Sequence, residues 1–188
     1  MDEQKSKRQF RVTSSLKQAI TMIIIVVVFM LVITYVTIPI RVNGDSMMNT
    51  LYDGDITLMN GLVVNEKSIH RFDVVVVKME DFPLLIKRVI GLPGETITYK
   101  NDVLYVNGEV VEENFFDQDF VSSQMALHSR QVYTNDFTVT LEDDEYFVLG
   151  DNRIDSADSR ILGAFKIDQI RSRKGLVIYP FDHARVID

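Results

Sequence analysis

The sequence predicts a mostly β fold: an antiparallel β domain with a small inserted β subdomain, preceded by one N-terminal transmembrane α-helix. Three observations carry this. No charged residue lies between Gln18 and Ile40. After Pro39 the pattern changes to short β-type runs broken by turn residues, and few later stretches show a helical period.

Taken in order, the first element is the span. Ala19 to Ile38 reads AITMIIIVVVFMLVITYVTI, with three threonines and one tyrosine as its only polar members. As a helix this run is about 30 Å long, the thickness of a bilayer core. Ile and Val are modest helix formers in water, but in lipid the backbone has to satisfy its own hydrogen bonds, and a threonine hydroxyl can return to a helix carbonyl. A cleavable secretory signal is the competing reading. It fits less well, because such runs span about 7 to 15 residues and no small-x-small pair follows this one before Pro39.

Charge is distributed unevenly. The 188 residues carry a net charge of −7, from 20 bases and 27 acids. Lys5, Lys7, Arg8, Arg11 and Lys17 face only Asp2 and Glu3 ahead of the span, a local balance of +3 that leaves −10 for residues 39–188. Basic residues beside a first span stay cytoplasmic. The expected organisation is therefore a cytoplasmic basic tail (1–17), a transmembrane helix (18–38) and an extracytoplasmic β domain (39–188) of a single-pass cell-membrane protein. The acidic outer part disfavours nucleic acid as a partner. The absence of cysteine excludes a disulfide scaffold, a zinc–thiolate site, c-type haem attachment and thiol catalysis.

The expected strands are Ile56 to Met59, Asp73 to Lys78, Leu84 to Ile90, Thr96 to Lys100, Val103 to Val106, Val110-Val111, Phe137 to Leu141, Tyr146 to Leu149 and Leu176 to Tyr179. Asp53-Gly54, Pro93-Gly94, Asn101-Asp102 and Asn107-Gly108 punctuate them, the last being a strong hairpin signal. The polar, weakly patterned stretch from Glu112 to Asp136 reads as a long loop or part of an inserted subdomain of about 101–142.

Three segments break the strand pattern. Asn43 to Leu51, NGDSMMNTL, is turn chemistry a few residues beyond the span. Leu84 to Gly94 sets Lys87 and Arg88 in an apolar strand, where alternation puts at least one base on an apolar face. A lysine buried there has a lowered pKa and offers a neutral amine as a base; an edge-strand lysine that snorkels to water is the plainer reading. Tyr146 to Arg160 runs from a strand into a loop with three carboxylates, two arginines and two hydroxyls, enough to fix a catalytic base or simply to face water. His70, His128 and His183 lack metal-ligand spacing and suit surface or core-edge roles.

Together these segments resemble bacterial type I signal peptidases of the single-span Gram-positive form, membrane-anchored serine–lysine proteases that remove signal peptides from exported proteins. The resemblance covers nearly all of the outer part in the family's order: GDSMMNTL at 44–51, KRVIGLPG at 87–94 and GDNRIDSADSR at 150–160. It implies a signal-peptidase-like antiparallel β catalytic domain. Ser46 matches the nucleophile, Lys87 the general base and Ser156 the hydroxyl that orients the lysine, with Asp151, Asp158 and Arg160 as the supporting network. The family's oxyanion hole falls on the Ser46 N–H and on position 44; Gly44 has no hydroxyl, so the second donor there stays open between its N–H, a water and another group. Asn49 stands where many members have proline, and Ile154 where a polar residue is usual.

The resemblance further implies cleavage after small residues in an Ala-x-Ala pattern. Ile40, Val42, Met47, Leu51, Leu85 and Ile86 are the expected lining of the substrate pockets, or equally ordinary core. No metal or cofactor is expected. The expected partners are signal-peptide-bearing pre-proteins, the lipid bilayer and, as a further candidate, the secretion translocon. Two alternatives stand beside this reading: a catalytically silent assembly factor of the same fold, and an esterase of the Gly-Asp-Ser type.

Overall fold

The structure, a computed structural model, describes the backbone of residues 2–61, 64–80 and 82–187, and their side chains except those of 2–14 and 32–34. Most side chains of the predicted basic tail, and three positions of the predicted span, lie outside the described residues. The chain divides into two units, Met1–Thr37 and Ile38–Asp188.

The first unit is one helix, α1 (Asp2–Val36). It absorbs the apolar run but stops two residues short of Ile38, because Pro39 lacks an N–H and forces its predecessor into extended backbone. Thr21 Oγ1 donates to the Lys17 carbonyl at 2.9 Å, the internal return expected of a helical threonine. From Ile20 to Leu31 every apolar side chain is exposed. Among the described residues no helix is long and apolar enough to cross a membrane.

The second unit is mostly β. β1 (Thr37–Arg41) begins its larger sheet, with β2 (Ile56–Asn60), β3 (Val74–Val77), β4 (Leu85–Gly91), β9 (Glu145–Leu149), β10 (Phe165–Lys166), β11 (Ile170–Tyr179) and β12 (Arg185–Ile187). Their order is β1-β2-β11-β3-β4-β9-β10, with β12 added beside β11. The second sheet, ordered β7-β6-β5-β8, comprises β5 (Thr96–Lys100), β6 (Val103–Val106), β7 (Glu109–Val111) and β8 (Phe137–Thr140). The described strand pairs are antiparallel, as expected for hairpin-rich β structure.

The central strand β3 is four valines, all buried. A strand apolar on both faces needs a core on each side, and Val74 and Val76 enter one cluster while Val75 and Val77 enter another. The turns work as their residues dictate. Asn101-Asp102 (φ 51° and 62°) and Asn107-Gly108 (φ 53° and 86°) take the left-handed pairs of tight hairpins, which Asn, Asp and Gly tolerate.

Three expectations are revised. The inserted sheet begins with β5 at Thr96, ahead of the expected boundary near 101, since β5 pairs with β6 and β8. The polar stretch contains α2 (Gln118–Leu127), capped by Asp117, whose carboxylate accepts from the Asp119 and Phe120 N–H groups. None of α2 is buried, so no apolar stripe announced it. β11 starts six residues before the expected strand, because its first half alternates buried Ile170 and Ser172 with more exposed arginines and lysine.

Candidate active site

The turn after β1 is closed at its base by Val42 N–H to the Asp55 carbonyl (2.8 Å) and Gly54 N–H to the Val42 carbonyl (3.0 Å). Within it the Thr50 and Leu51 N–H groups both reach the Met47 carbonyl, a single helical turn that presents Ser46 at its start. Asn49 sits at φ 79°, which asparagine tolerates and proline, fixed near −65°, does not. Proline at 49 would not fit this turn as it stands.

β4 carries Lys87 to the serine. Lys87 is buried, with 2% of its surface exposed, and its Nζ lies 2.6 Å from Ser46 Oγ. Burial pulls its pKa from 10.5 down to about 8, against the opposing pull of the Asp158 and Asp151 carboxylates. Arg88 points to the opposite face, as strand alternation requires, and pairs bidentately with Asp151 through Nε (2.8 Å) and Nη2 (2.7 Å). Thr50 Oγ1 also donates to Asp151, at 2.5 Å, so the carboxylate joins β4, the serine turn and the loop after β9.

That loop lies directly against the serine. Asn152 N–H donates to the Ser46 carbonyl at 3.0 Å. Gly150 N–H donates to Asp158 Oδ2 at 3.0 Å, and a Cβ on Gly150 would collide with Ser156 Oγ, the Ser46 carbonyl oxygen and Ser156 Cβ. Asp158 caps the short helix α3 (Ser159–Leu162) and holds Arg160 through Nε (2.8 Å) and Nη2 (2.7 Å). Burial alone raises its pKa; the Arg160 bonds and the Gly150 N–H outweigh this and hold the carboxyl below its ordinary value. Ser156 Oγ, buried above Gly150, faces Asp158 and helps hold its carboxyl down, but in strict geometry it makes no hydrogen bond and none to Lys87.

A cleft of about 130 Å³ opens at the serine. Ile40, Val42, Met47, Leu85 and Ile86 line it, together with Gly44, Ser46, Leu84 and Lys87. Leu51 does not: the Leu51–Met47 turn folds it inward, fully buried in the first core. Gly44 is at the cleft, but its N–H already donates to Asp53 Oδ1 at 2.8 Å. The Ser46 N–H has no acceptor among the described residues. β3 pairs with β4 from Leu85 to Arg88, whereas β9 pairs only from Arg88 onward, so among the described residues the cleft side of Leu85 to Lys87 carries no paired strand.

Sequence reasoning missed Arg153. Its guanidinium is fully buried and donates to the Gly150 carbonyl (3.1 Å), Tyr99 Oη (2.6 Å), Thr134 Oγ1 (3.2 Å) and Glu113 Oε1 (2.5 Å). It ties the second sheet to the loop behind Ser46. Glu113→Ala leaves this charge without its counter-ion, with an expected loss of about 3–5 kcal/mol, readable as a large drop in denaturant midpoint at unchanged slope. The histidines stand apart from Ser46: His70 is exposed, His128 ends α2, and His183 Nδ1 lies 3.0 Å from Asp55. Among the described residues no cluster could hold a metal ion.

Comparison with known proteins gives the same assignment. The family described as Signal peptidase, peptidase S26, matches residues 15–179. The chain belongs to this family. It is 37% identical over 183 residues to signal peptidase I S of Bacillus subtilis (strain 168), covering 96% of this chain and 98% of that protein. Signal peptidase I V of the same organism is 44% identical over 138 residues, covering 70% and 79%. The crystal structure of a signal peptidase I from Enterococcus faecalis V583 aligns with a TM-score of 0.49 and 34% identity, covering 56% of this chain and 96% of that one. The activity of this S26 peptidase is that of a signal peptidase I, a serine endopeptidase whose substrates are pre-proteins bearing signal peptides. The esterase and silent-protein readings are set aside.

Proposed function

We propose that Ser46 is the nucleophile and Lys87 the general base of this signal peptidase, and that it cuts after small residues from a membrane-anchored position. The 2.6 Å approach of Ser46 Oγ to a buried lysine is the observation that carries the reading. A serine hydroxyl is a weak nucleophile until a base takes its proton, and a neutral amine held at that distance takes it as Oγ attacks the scissile carbonyl. The resulting ammonium then gives the proton to the leaving amine. Water, deprotonated by the same lysine, hydrolyses the acyl-enzyme and frees Ser46.

The open Ser46 N–H is the oxyanion donor this geometry favours. For Gly44 to serve as a second donor, Asp53 has to release its N–H. Asp151, Asp158 and Arg160 act by fixing the loop and by setting the field at Lys87. Ser156 orients the lysine only if its hydroxyl turns toward the amine on substrate binding. An extended substrate strand would add to the unpaired side of Leu85 to Lys87, with its side chains entering the cleft between Ile40, Val42, Met47, Leu85 and Ile86, whose bulk favours small groups.

For anchoring, the support is α1 with its exposed apolar side chains and the basic residues ahead of them. In that arrangement residues 1–17 are cytoplasmic, 18–38 span the bilayer and 39–188 lie outside.

Incubating the purified chain with one signal-bearing precursor and mapping the new N-terminus tests this. Lys87 must lose its proton to act, so cleavage at low substrate rises about tenfold per pH unit up to about 8 and levels off above it. A midpoint near the histidine value of about 6.5 would exclude the lysine as base. Replacing the residue before the cut with phenylalanine should stop cleavage; indifference to it would remove the small-pocket reading.

A further inference from the structure

Thr50 has three polar groups, and each is bound to a different part of the fold. Its N–H donates to the Met47 carbonyl inside the serine turn. Its hydroxyl donates to Asp151 in the loop after β9 and accepts from Arg88 Nη2 of β4 at 3.1 Å. Its carbonyl accepts from Arg185 on β12, through Nε at 3.0 Å and through Nη2. Arg185 is itself braced: Nη1 donates to the His183 carbonyl at 2.8 Å, and Nη2 stands 3.5 Å from the buried Asp55 carboxylate, whose backbone closes the base of the serine turn.

The turn needs such a brace. It runs through Asn49 in the left-handed region at φ 79°, so its path is not fixed by a regular helix and depends on contacts at its two ends. The Asn152 N–H holds the Ser46 end, and Arg185 holds the far end four residues on. We propose that Arg185 is a positioning residue of the peptidase: through the Thr50 carbonyl it fixes the turn that carries Ser46 opposite Lys87. This rests on the reading of Ser46 as nucleophile. Arg185 touches neither Ser46 nor the cleft, so its loss should change how well the hydroxyl is aimed rather than how substrate is held.

Arg185→Met keeps the aliphatic stem and removes every donor. In the full chain, assayed well below the melting temperature, it should lower kcat by roughly 10- to 100-fold with KM within twofold, the cost of a reactive group displaced by about an ångström. Arg185→Lys restores one charged donor toward Thr50 and should recover a large part of kcat. Val186→Thr, next in β12 with an exposed side chain, should match the unmodified chain. The proposal is overturned if folded Arg185→Met keeps its kcat, if the loss falls on KM alone, or if Arg185→Lys is no better than Arg185→Met. Should Arg185→Met fail to fold, Arg185→Gln, which loses the charge and the two-pronged grip on the Thr50 carbonyl, takes its place: full kcat in that variant overturns the proposal, and reduced kcat at unchanged KM supports it. Ser46→Ala measured alongside separates the two levels: cleavage by that variant refutes the nucleophile assignment, whereas its silence beside a fully active Arg185→Met refutes only the role of Arg185.

Discussion

Ser46→Ala and Lys87→Met are each expected to reduce precursor cleavage by roughly 10⁴-fold or more while the chain stays folded. Members of a catalytic pair act as a unit, so losing one costs nearly as much as losing both, and the double variant should be little worse than either single one. Folding is spared for separate reasons. Ser46 Oγ is a small group at a cleft, and its loss leaves the carbonyl bonded to Asn152. Lys87 is buried at a net electrostatic disadvantage, as its lowered pKa records, so an apolar side chain of similar length suits the strand. Gel-shift assay of the precursor with thermal melts of each variant decides it. Substantial cleavage by folded Lys87→Met would mean that another group removes the serine proton.

Gly150→Ala should damage both activity and stability, although it adds one methyl group. The new Cβ meets Ser156 Cβ at 2.6 Å and collides with Ser156 Oγ and the Ser46 carbonyl oxygen. Ser156 can give way, but a backbone carbonyl cannot move without taking Ser46 with it. Overpacking of this kind costs about 1–3 kcal/mol, and, with Ser46 as the proposed nucleophile, a displacement of about 1 Å there costs roughly 10²-fold in rate. Chemical denaturation and steady-state cleavage measure the two effects separately. A Gly150→Ala variant with unchanged kcat would show that the loop after β9 does not set the position of Ser46.

What could be read from the residues was what local chemistry determines. The hairpins at Asn101-Asp102 and Asn107-Gly108 followed from residues that accept positive φ, and Lys87 stood out because a charge interrupts an apolar strand. Pairings between distant segments were not legible. Arg88 and Asp151 lie 63 positions apart and Arg153 and Glu113 lie 40 apart, and nothing local distinguishes a buried arginine from a solvated one. Strands β1, β10 and β12 have two to five residues each and exist because a neighbour supplies their hydrogen bonds. Leu51 looked like pocket lining because it follows Ser46 closely; the direction of one helical turn sent it into the core instead. Gly44 shows the same limit, since the engagement of its N–H by Asp53 depends on how the turn closes.

The Arg153 cluster makes the second sheet something other than a detachable insert. A shortened enzyme lacking residues of β5 to β8 would have to find new partners for a fully enclosed guanidinium at the same point where the loop behind Ser46 is secured. Swapping that sheet for one from a relative is feasible only if Tyr99, Glu113 and Thr134 travel with it. Chain length in this region can therefore drift at α2, whose residues are all accessible, while those three anchor points cannot. Chimeras designed around that division should retain processing where simple deletions lose it.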